Sequence, residues 1–311
     1  MNVKTLYNLL DDYLERLESL NYSEVTRRTV YYNCLDCVKW LEKCHGTETA
    51  DGIRKAHLEA WQKHLRTRRT GKGLPLKARS VNKRVECVKG FFKYLVEFGF
   101  MQKATLDILR YLKEPKVLPV GVLENRDMRR MLKKITLSNT NGYRDRTILE
   151  LMYSCGLRAG EVVNLNVGNI DFTHKLAKVR GKGDKERMVP VGKTAMRCLE
   201  TYVKAVRPFM LLAGHEEALF VNATGTRLQY HTLRLIIKEH ALNANLKEHI
   251  TTHSFRRSCA TELIRGGANL YHVKELLGHE DLQSLKHYTK LTINDLRKTH
   301  AKYHPRERNK C

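Results

Sequence analysis

Acidic side chains are scarce in this chain, and no apolar run is long enough to cross a bilayer. The 311 residues carry 57 Lys and Arg against 33 Asp and Glu, a formal charge of +24. A surplus of that size points to a polyanionic partner, with DNA or RNA first. No stretch approaches the ~20 apolar residues that a membrane helix requires. Residues 1–10 read as the start of a soluble helix, not as an export signal. The expectation is a cytoplasmic protein with no membrane partner. Eight cysteines lie scattered through helical patterns and are expected to be reduced thiols. Cys34 and Cys37 form a lone CxxC, with Cys44 and His45 nearby. A closed zinc site normally takes two such pairs, so these cysteines read as helical core and no metal is expected. The chain also lacks a GxxxxGK[ST] phosphate loop and an obvious carboxylate cluster for magnesium. Neither internal repeats nor low-complexity tracts occur. Apolar residues make up 42%, enough for a real core.

What is present begins with helices. Leu6, Leu9, Leu10, Tyr13, Leu14 and Leu17 recur at helical spacing. Ser23 is placed to cap a second helix, with Val30, Leu35, Val38 and Leu41 as core positions. A third runs over about residues 54–69, through Leu58, Trp61 and Leu65. After a Gly- and Pro-bearing break, Ser80 is expected to cap a long helix through Val85, Val88, Phe91, Phe92 and Leu95. A shorter helix is expected to reach about Leu112. Residues 113–122, KEPKVLPVGV, hold two prolines and no helical pattern, and read as a linker. Helices follow over 125–135 and 143–155. Ile170 and Phe172, Leu176 and Val179, and Met188, Val189 and Val191 then form short β-like runs around polar turns. Helical patterns resume from Thr194, His231, Ser254, Leu270 and Leu282, and Thr292 with Asp295 resembles a capping box. The fold class is therefore mainly α with a small antiparallel sheet.

Two basic faces stand out. Across residues 63–84 there are nine Lys or Arg and no acid: Lys63, Arg66, Arg68, Arg69, Lys72, Lys77, Arg79, Lys83 and Arg84. They bridge two helices through a glycine-containing turn, which suits a phosphate-gripping surface. Tyr230, His231, Arg234 and Lys238 form a second face, suited to a major groove. A solvated surface is the plainer alternative for both.

The most informative residues lie near the C-terminus. HSFRR sets His253 and Arg256 three apart, on one face if helical. LLGHEDLQSLKHY sets His279 nine residues before Tyr288. An arginine, two histidines and a tyrosine suit attack on a phosphodiester by a phenol without a metal. Two further pieces complete the set. GLRAGE holds Arg158, with Glu161 three residues on to orient a basic side chain. GKGDKER holds Lys182 between glycines that let a turn move. Singly, each has a plain reading: Arg158 and Arg256 as ion-pair partners of Glu161 and Glu262, Tyr288 as a half-buried tyrosine.

In this order and these contexts, Arg158, Lys182, His253, Arg256, His279 and Tyr288 resemble the tyrosine recombinase (phage integrase) family, most of all its Xer-type members. The similarity is close over residues 123–288 and looser before that. One departure is Arg257, where many members carry histidine. The resemblance implies a helical core-binding (SAM-like) domain over 1–112, the linker over 113–122, and a catalytic domain over 123–311, together a C-shaped clamp on duplex DNA. It implies Tyr288 as nucleophile, His253 as its proton acceptor and Lys182 as general acid. Arg158 and Arg256 would grip the phosphate, and His279 would donate to the same oxygens. No cofactor is implied. The implied product is a 3′-phosphotyrosyl link. The partners are a double-stranded recombination site and either a homotetramer on paired sites or a related second recombinase. Two other outcomes share some of these residues: a type IB topoisomerase and a catalytically silent DNA-binding regulator.

Overall fold

Two small hydroxyl side chains start the first two helices. In this computed structural model, which describes residues 4–115, 123–181, 185–211, 217–246 and 250–278, Thr5 accepts the Asn8 N–H at the head of α1 (Leu6–Ser19). Ser23 does the same for Thr26 at the head of α2 (Glu24–His45), as its position predicts. Gly46, in the left-handed region at φ 60°, ends α2. Two more helices, α3 (Lys55–Thr67) and α4 (Ala78–Glu97), turn their apolar stripes to the same core. Leu6, Leu10, Leu41, Leu58, Trp61, Val85, Phe91 and Phe92 all lie inside it. Cys34 and Cys37 are buried there too, and burial pushes both thiols well above their ordinary pKa.

Several helical boundaries shift by one to three residues from the sequence expectation, and two differences in the first unit have a clear cause. Ser80 does not cap α4. The helix begins at Ala78 with Lys77 as its N-cap, and the Lys77 carbonyl receives the N–H groups of both Ser80 and Val81. The helix expected to reach Leu112 is a short 3-10 turn, Lys103–Ile108. Beyond it Asn82 holds the chain extended. Its side-chain oxygen accepts the Leu112 N–H at 2.7 Å, and its amide nitrogen donates to the Leu112 carbonyl at 2.9 Å.

The chain divides into two compact units, Met1–Val117 and Leu118–Cys311. In the second, α5 (Asn125–Lys133) precedes a central helix, α6 (Thr140–Cys155). α6 is buried on several sides, through Ile148, Leu149, Leu151 and Met152. Its buried Asp145 joins Arg144, at 2.7 and 2.9 Å, to His240, at 3.0 Å. A six-residue helix, α7 (Ala159–Asn164), follows.

Three antiparallel strands come next, β1 (Ile170–Asp171), β2 (Leu176–Arg180) and β3 (Glu186–Pro190), in the order β1-β2-β3. Register sets Ala177 opposite Val189 and Val179 opposite Arg187. Because a strand alternates its faces, Arg187 shares the inward face with Val189. Helix α8 (Lys193–Thr201) runs on through one π turn, Tyr202–Val206, into a 3-10 turn. The remaining helices are α9 (Tyr230–Asn243), α10 (Thr252–Arg265) and α11 (Leu270–Leu277). Among the described residues no helix is long and apolar enough to cross a membrane. The helices expected from Leu282 and Thr292 lie outside the described residues.

Candidate active site

Gly156 ends α6 in the left-handed conformation, at φ 61°, and the chain turns directly into Arg158. Arg158 is the N-cap residue of α7. Glu161, in the first turn, reaches back: its Oε2 accepts the Arg158 backbone N–H at 2.8 Å. Its Oε1 accepts from Arg158 Nη1 at 2.8 Å. The expected Arg158–Glu161 pair is therefore present, and about a third of the Arg158 side chain stays exposed. Its Nη2 donates to the Gly278 carbonyl at 2.8 Å.

α10 supplies the next two groups. Thr251 is its N-cap, and its backbone N–H donates to Ser254 Oγ at 3.0 Å. His253 and Arg256 follow, three residues apart in the same helix. Arg256 is 4% exposed. Its Nη1 donates to the Gly156 carbonyl at 2.9 Å and its Nη2 to the Leu277 carbonyl. The alternative partner, Glu262, is paired instead with Arg265 at 3.3 Å. Arg158 and Arg256 thus come together from helices about a hundred residues apart in sequence, anchored on adjacent carbonyls.

The electrostatics favour an anion. His253 titrates below the ordinary imidazole value, first because of partial desolvation and then because of the charges on Arg257, Arg256 and Arg158. Glu161 is the buried carboxylate beside these cations. Burial alone would raise its pKa, but bonds from Arg187 and Arg158 outweigh that and hold it below the usual carboxylate range. A polar cavity of about 500 Å³ opens beside Glu161, between α7 and the sheet. Lys178 and Arg180 on its wall are paired with Glu186, at 2.7 and 3.3 Å. Lys182, His279 and Tyr288 lie outside the described residues.

One residue escaped the sequence reading. Arg187 places Nη1 and Nη2 at 2.8 and 3.0 Å from the two Glu161 oxygens, and its Nε donates to the Leu276 carbonyl at 3.1 Å. The sequence holds two signs of it: GKGDKER ends on this arginine, and strands alternate their faces. In ERMVP an arginine falls on the face that Val189 turns inward.

The basic run in the first unit divides into two groups. Arg68 donates to both oxygens of Asp36, at 2.8 and 2.6 Å, and Arg84 to one of them at 3.0 Å. Lys83 pairs with Glu86, and Arg69 donates to the Gly73 carbonyl. Lys63, Arg66, Lys72, Lys77 and Arg79 are exposed. On α9, Tyr230, His231, Arg234 and Lys238 are all exposed, and residues 230, 234 and 238 recur every fourth position along one stripe.

Comparison with known proteins agrees with this geometry. The model of the phage integrase family matches residues 121–295. "Tyrosine recombinase XerD" of Staphylococcus epidermidis is 35% identical over 229 residues, 74% of this chain and 77% of that protein. The protein of that name from Staphylococcus aureus matches to the same extent. Among solved structures, XerH site-specific recombinase bound to difH substrate has a TM-score of 0.69 at 21% identity, covering 94% of this chain and 83% of that one. A lambda integrase dimer bound to a COC′ core site has a TM-score of 0.70 at 16% identity, covering 93% and 100%. At those identities the two structures speak to the fold.

Proposed function

The chain belongs to the phage integrase family and is a tyrosine-type site-specific DNA recombinase, and from that premise we propose how its residues divide the work. Tyr288 attacks the scissile phosphorus. A phenol of pKa about 10 is a poor nucleophile at neutral pH, so His253 takes its proton. The depressed pKa of His253 keeps that imidazole neutral and able to accept.

Arg158 and Arg256 bond the non-bridging oxygens. Planar guanidinium forks suit that task, and their charge counts most as negative charge grows in the pentavalent transition state. His279 donates to the same oxygens. Lys182 protonates the departing 5′ oxygen. The product is a 3′-phosphotyrosyl link with a free 5′ hydroxyl, which later attacks the link and rejoins a strand. One phosphoester is exchanged for another, so the steps need no nucleotide to supply energy.

The observation that carries this reading is the convergence of Arg158 and Arg256 on neighbouring carbonyls of one turn, with His253 in the same helix as Arg256. Residues 1–112 serve as the helical DNA-holding domain, 113–122 as linker and 123–311 as the catalytic domain. The exposed lysines and arginines of residues 63–79 and the α9 stripe grip the duplex. Exchange of four strands calls for a tetramer on two paired sites, built from this chain or shared with a related recombinase, acting on DNA in the cytoplasm.

The test is a duplex nicked beside the cleavage site, from which the free 5′ fragment diffuses away. Wild-type protein should accumulate as a covalent DNA adduct. Tyr288→Phe should bind with similar affinity and form none. An adduct with the phenylalanine variant refutes the nucleophile assignment.

A further inference from the structure

Three successive carbonyls close α11, and three different arginines hold them. Arg187 Nε donates to Leu276, Arg256 Nη2 to Leu277 and Arg158 Nη2 to Gly278. A helix C-terminus leaves its last carbonyls without partners and carries partial negative charge, so cations belong there. Two of the three are the phosphate-gripping residues of the mechanism above. The third has no role in it.

Arg187 is occupied within the protein. It stands on the inward side of β3 with a side chain 15% exposed. Its Nε and both terminal nitrogens are committed to protein acceptors. It also lies against the backbone of Gly278, where a Cβ would come within 3.1 Å of its Nε. Glu161 is shared evenly: each carboxylate oxygen accepts one bond from Arg187 and one from Arg158.

The charge balance gives this sharing a consequence. Two guanidinium groups and one carboxylate leave one net positive charge. Without Arg187, Arg158 and Glu161 form a neutral pair, which has less charge left to offer an oxyanion. We propose that Arg187 is a positioning residue for strand cleavage, taking up the charge of Glu161 and fixing the turn at Gly278 so that Arg158 keeps its charge and direction for the scissile phosphate. This rests on the assignment of Arg158 to the phosphate.

The test uses the full chain and the nicked duplex under single-turnover conditions, with DNA affinity and melting temperature measured on each variant. Arg187→Met should slow adduct formation by roughly a hundredfold, the loss typical of one transition-state donor, while affinity changes by less than about threefold. Arg187→Lys, which keeps the charge but loses the fork, should slow it by about tenfold. The double variant Arg187→Met with Glu161→Gln removes the stranded carboxylate, and should recover at least about tenfold over Arg187→Met. A mere strut would show no recovery, because the second change removes further bonds.

The proposal is overturned if Arg187→Met reacts within about threefold of wild type, or if the double variant is no faster than the single one. Should Arg187→Met fail to fold, Arg187→Lys decides: slower cleavage at unchanged affinity supports the proposal, and wild-type cleavage overturns it. Failure of the wild-type protein to form any adduct, or adduct formation by Tyr288→Phe, would strike the nucleophile assignment and leave a different result to explain.

Discussion

Replacing Gly156 with alanine tests whether the turn after α6 sets both the stability and the chemistry of the second unit. Gly156 sits at φ 61°, and its carbonyl accepts from Arg256 Nη1. An L-residue in that left-handed region costs about 1–2 kcal/mol. Its Cβ would also stand 2.6 Å from Leu277 Cδ2 and 3.2 Å from Cys259 Sγ. Leu277 is fully buried, so it cannot swing into solvent, and overpacking of that kind costs about 1–3 kcal/mol. The sum is roughly 2–5 kcal/mol, or about 2–4 °C of melting temperature per kcal/mol for a unit of this size. Leu277 is also the residue whose carbonyl anchors Arg256, so pushing it aside should slow adduct formation more than the lost stability explains. Both tryptophans, Trp40 and Trp61, lie in the first unit. Tryptophan emission therefore follows that unit, while helical circular dichroism follows both. Gly156→Ala should lower the dichroism transition by more than it moves the emission transition. A dichroism shift worth less than about 1 kcal/mol, below the sum of the two costs, would refute the reasoning.

Two other outcomes follow from the charges. Alanine at Lys63, Arg66, Lys72, Lys77 or Arg79 should lower the slope of log affinity against log salt by about 0.9 for each phosphate left without its cation. Arg68→Ala and Arg84→Ala should change it less and instead reduce stability, because Asp36 already claims those side chains; salt titrations of the single variants distinguish the two groups. For His253, the folded pKa lies below the ordinary 6.5, and cleavage needs the neutral ring. The rate should therefore rise as pH climbs through that depressed value and level off before neutrality. Arg257→Gln removes one of the charges that depress it, so the rising limb should move to higher pH. A limb that stays in place would remove His253 from the role of proton acceptor.

Much of the fold was legible because it is local. The α1 stripe, the Ser23 cap, the end of a helix at 155 and the three β runs each depend on residues within a few positions of one another. The GLRAGE and HSFRR motifs likewise announced Arg158 and Arg256. What escaped depends on partners far along the chain. Asn82 holds Leu112 extended where a helix was expected, across thirty residues. Asp36 draws in Arg68 and Arg84 from two other segments. Ser80 looks like a cap in sequence, yet the helix already begins at Ala78, and Lys77 takes the N-cap position despite having no side-chain oxygen to offer. Arg187 belongs with these. Its inward side was readable from strand alternation, but its carboxylate partner stands 26 residues away on another element.

The acceptors that close α11 are main-chain oxygens, and every amino acid supplies the same one. Evolution can therefore rewrite the side chains at 276 and 277, within the limits of packing, without loosening the grip on any of the three cations. What it cannot alter freely is the path of the chain at Gly278, whose φ of 63° few other residues tolerate. The constraint on this part of the molecule falls on a trajectory more than on an alphabet.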